Sequence, residues 1–120
     1  MKSIPLKEIA YARSGDKGSS ANIGLIAFTE AGYQVLQKQV TEAHVMEFFG
    51  NMPVTRVVRY EMPNLWAFNF MLHGVLGKGG SRSLAIDAQG KALGQALLTM
   101  MVSVDDNTLV ACKNEHQADE

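Results

Sequence analysis

Two short, nearly continuous apolar runs constrain the fold of this chain more than any other feature of its sequence. They are Asn22–Phe28 (NIGLIAF) and Leu65–Leu72 (LWAFNFML). Their length and their β-branched and aromatic residues are typical of strands buried in a sheet. Both are far shorter than the roughly 18 apolar residues that cross a membrane. We therefore expect a globular domain built around a sheet, without membrane association.

Composition narrows the class of protein further. The chain has 120 residues, 47% of them hydrophobic, and a formal net charge of −1. This is one domain's length of ordinary globular composition rather than a disordered chain. A general nucleic-acid binder would carry a basic excess, so we expect no nucleic-acid partner. The N-terminal residues lack the apolar segment of a signal peptide, which predicts a cytoplasmic protein.

Metal and disulfide chemistry are not expected. Cys112 is the only cysteine, so it can form neither an internal disulfide nor a cysteine cluster. The three histidines, His44, His73 and His116, show no metal-ligand spacing with it or with a carboxylate pair. No phosphate-binding or dinucleotide fingerprint is present either. The sequence therefore predicts no metal and no cofactor.

The remaining pattern alternates strands and helices. Lys2–Ala10 is predicted as a strand, and Thr29 and Thr41 as the N-caps of two helices, the second ending near Gly50. Val54–Glu61 and Leu65–Leu72 are separated by the turn Met62-Pro63-Asn64, which indicates an antiparallel hairpin. Apolar residues at helical spacing predict a last helix that reaches Met101 and begins either at Asp87 or, as we favour, near Lys91. Leu84 and Ile86 suggest a brief strand before it.

Together these elements predict an α+β fold, a largely antiparallel sheet with helices packed on one face. We assign the domain to residues 1–102 and treat residues 103–120 as a polar C-terminal extension. Within the extension, Thr108–Cys112 (TLVAC) is interpreted as an additional edge strand, followed by a frayed tail.

Two glycine-rich segments with cations are the best candidates for a binding site. Arg13–Ser20 (RSGDKGSS) is predicted as a loop, with Arg13 and Lys17 beside Asp16. The second segment, Gly77–Ser83, repeats the pattern with Lys78, Ser81 and Arg82. Converging backbone amides and cations bind anions, and Asp16 would orient the cations or act as an acid or base. The alternative is that both are solvated turns, with Arg13 and Asp16 in an exposed ion pair.

Three asparagines accompany these segments. Asn22 and Asn69 lie within the two apolar runs, and Asn64 lies in the turn between the hairpin strands. A buried amide must find hydrogen-bond partners, so Asn69 either clamps a neighbouring segment or contacts a ligand. Asn22 and Asn64 are candidates for the same two roles.

Several motifs resemble a known family. Ala12–Gly24 (ARSGDKGSSANIG) and Arg59–Leu65 (RYEMPNL) are the most specific, and further matches are Phe68–Phe70, Gly77–Leu84 and Asp87–Gly94. They resemble the small C-terminal domain of the acyclic-terpene-utilisation protein A family, which also occurs as a separate protein. The resemblance runs from about Pro5 to Met101. It implies a ferredoxin-like α+β domain and a link to acyclic terpene or acyl-CoA catabolism, with no catalytic residue to carry over.

Two functions follow as expectations, and whether this chain alone is an enzyme stays open. The first is an accessory subunit that pairs with a separately encoded partner, the counterpart of the family's larger domain, or forms a homo-oligomer. The second is a site for an acyl-CoA or another anionic metabolite between the two glycine-rich segments, with Arg13, Lys17, Lys78 and Arg82 binding negative charge.

Overall fold

The computed structural model describes residues 1–17, 20–74 and 93–113. Its strands are β1 (Lys2–Pro5), β2 (Ala10–Lys17), β3 (Ser20–Ala27), β4 (Arg56–Met62), β5 (Ala67–His73) and β6 (Met101–Val104). Its helices are α1 (Glu30–Gln39), α2 (Glu42–Phe48) and α3 (Asp106–Cys112), with a further helical segment at residues 93–97. Short 3-10 turns occupy Leu6–Glu8 and Pro63–Leu65.

The strands form two antiparallel sheets. The larger has the order β2-β3-β5-β4, and the smaller pairs β1 with β6. Cross-strand partners point to the same face, and successive residues point to opposite faces. The core face of the larger sheet carries buried Ile23 and Leu25 of β3 and Phe68 and Phe70 of β5. The predicted α+β architecture and the β4–β5 hairpin are confirmed.

The described helices pack on this core face. The ring of Tyr33 in α1 stacks on Phe68, with ring centroids 4.8 Å apart. In the helical segment 93–97, a Cβ added to Gly94 would lie 3.3 Å from the Ala12 Cβ of β2. The N-caps expected for α1 and α2 are confirmed, because the Thr29 hydroxyl accepts from Gly32 N–H and the Thr41 hydroxyl from His44 N–H, each at 3.1 Å.

The loop predicted over Arg13–Ser20 is wrong for Arg13–Lys17 and Ser20, and its residues 18–19 lie outside the described residues. Ala10–Lys17 is strand β2, paired residue by residue with β3, and Lys17 lies opposite Ser20. Edge strands need not show apolar alternation, because only one side is paired and one face can be solvated. The backbone hydrogen bonds to apolar β3 therefore make a strand of a polar, glycine-containing sequence.

Three other boundaries also differ. The strand predicted over Lys2–Ala10 ends at Pro5, which precedes a 3-10 turn. The last helix does not reach Met101, because Met101–Val104 alternates exposed and buried residues as strand β6. Strand β5 begins at Ala67, since Leu65 belongs to the 3-10 turn. The predictions for residues 75–92, including the start of that helix, lie outside the described residues.

Over Thr108–Cys112 the C-terminal extension forms a helix rather than the predicted edge strand, and the predicted frayed tail at residues 114–120 lies outside the described residues. The Asp105 carboxylate accepts a hydrogen bond from Thr108 N–H at 2.6 Å and so caps helix α3. The β-branched residues Thr108 and Val110 favoured a strand, but the cap and packing on α1 decide for the helix. The division of the chain at residue 102 stays a prediction.

Candidate functional site

The two asparagines within the apolar runs meet on the sheet face opposite the helices. Asn22 Nδ2 donates to Asn69 Oδ1 at 3.2 Å, and both side chains are half-buried. Gly15 lies opposite Asn22 on β2, where an added Cβ would be 3.1 Å from Asn22 Oδ1. The glycine thus leaves the room that the amide pair needs. We call this side of the four-stranded sheet the outer face.

One line of cross-strand partners on the outer face contains two of the predicted site residues. Arg13, Gly24, Asn69 and Tyr60 lie opposite one another on β2, β3, β5 and β4, and we call them the polar row. A Cβ added to Gly24 would have no neighbour closer than 3.9 Å. The polar row therefore has a shallow hollow at Gly24, with Arg13 on one side and Asn69 on the other.

Hydrogen-bond donors surround this hollow. Asn69 Oδ1 is occupied by Asn22, which leaves the Asn69 amide NH₂ without a hydrogen bond to any described residue. Within the described part of the chain, the Arg13 guanidinium forms no ion pair, and Tyr60 is 53% exposed. A guanidinium, an amide and a phenol are groups that bind a carboxylate or phosphate.

Charge on the outer face is of one sign. Arg13 and Arg56 occupy it, and every acidic side chain that the structure describes lies elsewhere. Arg56 lies opposite His73, whose Nδ1 is 3.3 Å from the Ser20 hydroxyl. The field over this face attracts anions, although the whole chain is nearly neutral.

Apolar side chains form the neighbouring line. Tyr11, Ile26, Ala67 and Met62 are cross-strand partners next to the polar row, and we call them the apolar row. Tyr11 is 44% exposed, Ile26 and Met62 are half-buried, and Ala67 is buried. The Tyr11 ring stacks on Phe28 with centroids 5.9 Å apart. Beyond Ala67, Leu65 and Trp66 are 64% and 41% exposed. The outer face thus combines an apolar end with a cationic middle.

Among the described residues, the structure shows no other predicted site residue at this hollow. Asn64 is exposed in the 3-10 turn between β4 and β5. Asp16 and Lys17 are described by their backbone pairing with Ala21 and Ser20. Lys78, Ser81 and Arg82 lie outside the described residues, so the meeting of the two glycine-rich segments stays a prediction. The role of each candidate residue in binding stays a prediction as well.

Arg59 is an important residue whose role the sequence did not reveal. Its guanidinium donates to the Gln37 and Val40 carbonyls at the end of α1, each at 3.0 Å. It also pairs with Glu61 at 3.0 Å and lies 4.9 Å from the centre of the Phe68 ring. The sequence motif Arg59–Leu65 includes this arginine. Its role becomes clear only in the structure, where the C-terminal end of α1 presents the two carbonyls that the guanidinium binds.

Tyr33 lies beside Arg59, Glu61 and Phe68. Its hydroxyl is buried without a hydrogen-bond partner among the described residues, and this desolvation, with the nearby Glu61 charge, raises the pKa of the phenol. The tyrosine therefore stays protonated at neutral pH and acts as packing for Phe68.

A separate cleft of about 450 Å³ lies between α1, β6 and α3, and none of the predicted site residues that the structure describes lines it. Gln39 closes one side: its amide donates to the Ser103 carbonyl at 2.6 Å and accepts from Ser103 N–H at 2.8 Å. This side chain therefore occupies backbone groups of β6 that another strand could otherwise bind.

A metal-binding cluster and a helix long and apolar enough to span a membrane are both absent from the described residues. Across residues 1–17, 20–74 and 93–113, three or more histidine, cysteine or acidic side chains are nowhere grouped as a metal site would need. None of the helices in the same ranges has the length and apolar character to span a bilayer.

Comparison with known proteins places the chain in a family. The model of the AtuA ferredoxin-like domain matches residues 4–103, most of the chain. No curated protein and no solved structure matches it. The match agrees with the antiparallel sheet and the helices on one face, so the predicted ferredoxin-like α+β class is confirmed. This chain belongs to the AtuA ferredoxin-like domain family.

Proposed function

We propose that this domain is an accessory domain of acyclic terpene or acyl-CoA catabolism that works with a partner protein through its outer face. The terpene link comes from the family. The observation that carries the rest is the difference between the two faces of the sheet. The core face is covered by helices, whereas the outer face carries exposed Tyr11 and Tyr60 and an Asn69 amide NH₂ that bonds to none of the described residues.

The charge of the outer face favours a partner of different sequence over a second copy. Face-to-face pairing of two copies would oppose Arg13 and Arg56 with the same cations, and such juxtaposition is unfavourable. A partner that presents acidic and apolar side chains would complement both rows. Aromatic residues and arginine are also the residue types enriched at the centres of protein interfaces.

Capture with matched baits tests this function. The wild-type protein, a face variant carrying Tyr60→Ser and Arg13→Glu, and a control carrying Lys38→Glu on α1 are incubated with native lysate. We expect one stoichiometric protein on the wild-type and control baits and its loss from the face variant. A monomeric mass by light scattering together with no stoichiometric protein on any bait would contradict the proposal, and a face-dependent homodimer would replace the separate partner with a second copy.

A second candidate function is binding of an anionic metabolite such as an acyl-CoA, supported by the hollow at Gly24 between Arg13 and Asn69. Thermal-shift titration with coenzyme A, acyl-CoAs, phosphate and citrate tests it. Ligand at a hundred times its dissociation constant stabilises a protein by about 2.7 kcal/mol, several degrees for a domain of this size. A flat panel, or a shift that Arg13→Gln leaves unchanged, would exclude this site.

A further inference from the structure

We propose that the outer face binds an amphipathic anion, with the anionic group over the polar row and an apolar chain along the apolar row. This inference rests on the second candidate function, because it assigns the anion site to the hollow at Gly24. It goes further by naming the ligand class: a carboxylate or phosphate joined to a hydrocarbon chain. Such a ligand needs an anion-binding group and an apolar surface at a fixed separation.

The spacing of the two rows meets that requirement on all four strands. Tyr11 is two residues from Arg13, Ile26 from Gly24, and the same step separates Ala67 from Asn69 and Met62 from Tyr60. Two residues along a strand span about 7 Å, with both side chains on one face. A hydrocarbon chain attached to an anion in the hollow therefore reaches the apolar row within its first few carbon atoms.

Trp66 immediately precedes Ala67, the first residue of β5, and is 41% exposed. Its backbone is left-handed, with φ 55°, a region that side chains disfavour. Two backbone hydrogen bonds hold it there: Trp66 N–H donates to the Pro63 carbonyl at 3.2 Å, and Ala27 N–H donates to the Trp66 carbonyl at 2.8 Å. The position of this half-exposed indole is thus imposed by the β3–β5 pairing rather than by local preference.

The charge of the outer face determines which class of ligand it binds. An apolar row alone would suit any hydrophobic surface, but here it adjoins Arg13 and the Asn69 amide, whose NH₂ has no partner in the part of the chain that the structure describes. The acidic side chains among the described residues all lie off this face. A neutral hydrocarbon would leave those donors desolvated and unpaired, whereas an anionic group binds them. The hollow is lined by one glycine, which suits a small head group.

The chain offers its own reporter, because Trp66 is the only tryptophan in the sequence. The full-length protein is titrated with straight-chain carboxylates of increasing length, below their micelle concentrations, with acetate and inorganic phosphate as chainless probes. Binding is followed by thermal shift for every probe and by Trp66 fluorescence. We expect each added methylene to tighten binding about two- to fourfold, as for burial of a methylene group, with a blue shift of Trp66 emission.

Variants separate the two parts of the ligand. Tyr11→Ser should weaken the longest carboxylate about tenfold and leave acetate unchanged, since it removes apolar surface only. Arg13→Gln should weaken every member of the series. Met101→Ser, at a 53% exposed apolar residue on β6, is the matched control and should alter neither. Thermal unfolding without ligand verifies that all variants remain folded.

The outcomes distinguish this inference from the functions on which it rests. Affinity that is independent of chain length, or that is unchanged by Tyr11→Ser, overturns the amphipathic ligand and leaves the anion site standing. Absence of binding by every probe, chainless ones included, removes both the anion site and this inference, and leaves the partner-protein function to its capture experiment. Binding to anionic vesicles but not to monomeric carboxylates also overturns the inference, in favour of a membrane surface.

Discussion

At the scale of single residues, Arg59 shows how one side chain can fix a helix to a sheet. The C-terminal carbonyls of a helix lack partners within the helix. The Arg59 guanidinium donates to two of these carbonyls, those of Gln37 and Val40, and lies over the Phe68 ring. The side chain is only 16% exposed, so water cannot easily replace it.

Removing Arg59 should therefore destabilise the fold. We expect Arg59→Ala to lower the free energy of unfolding by about 2 kcal/mol, because it removes the donor to two carbonyls at the end of α1 and the ion pair with Glu61. In thermal unfolding this corresponds to a Tm lower by about 8 °C. Arg59→Lys should recover only part of the loss, since an ammonium lacks the planar fork. An unchanged Tm in Arg59→Ala would contradict this role.

For Gly24 we predict the opposite change: its replacement should stabilise the fold. Glycine weakens the interior of a strand by about 0.5–1 kcal/mol relative to alanine, and the space above Gly24 accepts a side chain. Gly24→Val should raise the Tm by a few degrees and at the same time abolish anion binding, because it fills the hollow. Gly15→Ala is the contrasting variant, since its Cβ would press on Asn22. Retained affinity in Gly24→Val would exclude the hollow as the binding site.

At the scale of elements, α3 is attached to the domain by a few polar contacts around a buried thiol. The Thr29 hydroxyl caps α1 and donates to the Ala111 carbonyl of α3 at 2.9 Å. Lys113 pairs with Glu8 at 2.7 Å. Cys112 is fully buried beneath α3, and this burial raises the pKa of its thiol.

Thiol labelling measures how firmly α3 is held. We expect Cys112 to react with a thiol reagent at least tenfold more slowly in the native protein than in the unfolded chain, because the thiolate is the reactive form and is disfavoured by burial. Thr29→Ala should speed labelling about 5- to 30-fold, the effect of losing 1–2 kcal/mol of cap and hydrogen bonding. Thr29→Ser keeps both bonds and serves as the control. Equal rates in all three proteins would show that α3 does not depend on Thr29.

Low pH should weaken the attachment of α3 to the rest of the domain. The hydrogen bond and charge of Lys113 hold the pKa of Glu8 below its usual 4.5, and the Thr108 backbone N–H lowers the pKa of Asp105. Because folding lowers both pKa values, their stabilisation is complete above the unfolded values and is lost as pH falls through the folded ones. At pH 7, Glu8→Gln should lower the urea midpoint by the equivalent of about 0.2–1 kcal/mol, as for a part-exposed pair. By pH 3 the difference in urea midpoint between Glu8→Gln and wild type should shrink. A difference that does not change with pH would contradict this contribution of Glu8.

Local patterns predicted some elements better than others. Helices α1 and α2 followed from the caps Thr29 and Thr41, and β3 and β5 from their apolar composition. Strand β2 could not be predicted in the same way, because its pairing with β3 rather than its own residues makes it a strand. The α3 helix was missed for a related reason, since the Asp105 cap and the contact with Thr29 outweigh its β-branched residues.

At the scale of the whole molecule, the site could be predicted in part. Arg13, Asn22 and Asn69 were selected from residue type alone, and the sheet register places all three on the outer face. The register also adds Gly24 and Tyr60, which lie in the two most specific motifs but were not selected as site residues, because their importance depends on their cross-strand partners. Two-layer architecture explains why such a face exists: the helices cover one side of the sheet and leave side chains of the other side to contact a partner or ligand.

The most direct test of this account maps binding onto the two faces of the sheet. Isotope-labelled protein is titrated with a medium-chain carboxylate, and amide chemical shifts are followed by NMR. We predict that the largest chemical-shift changes fall on the polar row (Arg13, Gly24, Asn69 and Tyr60) and on the apolar row (Tyr11, Ile26, Ala67 and Met62). Changes confined to α1, β6 and α3, around the 450 Å³ cleft, would contradict the outer face as the binding surface.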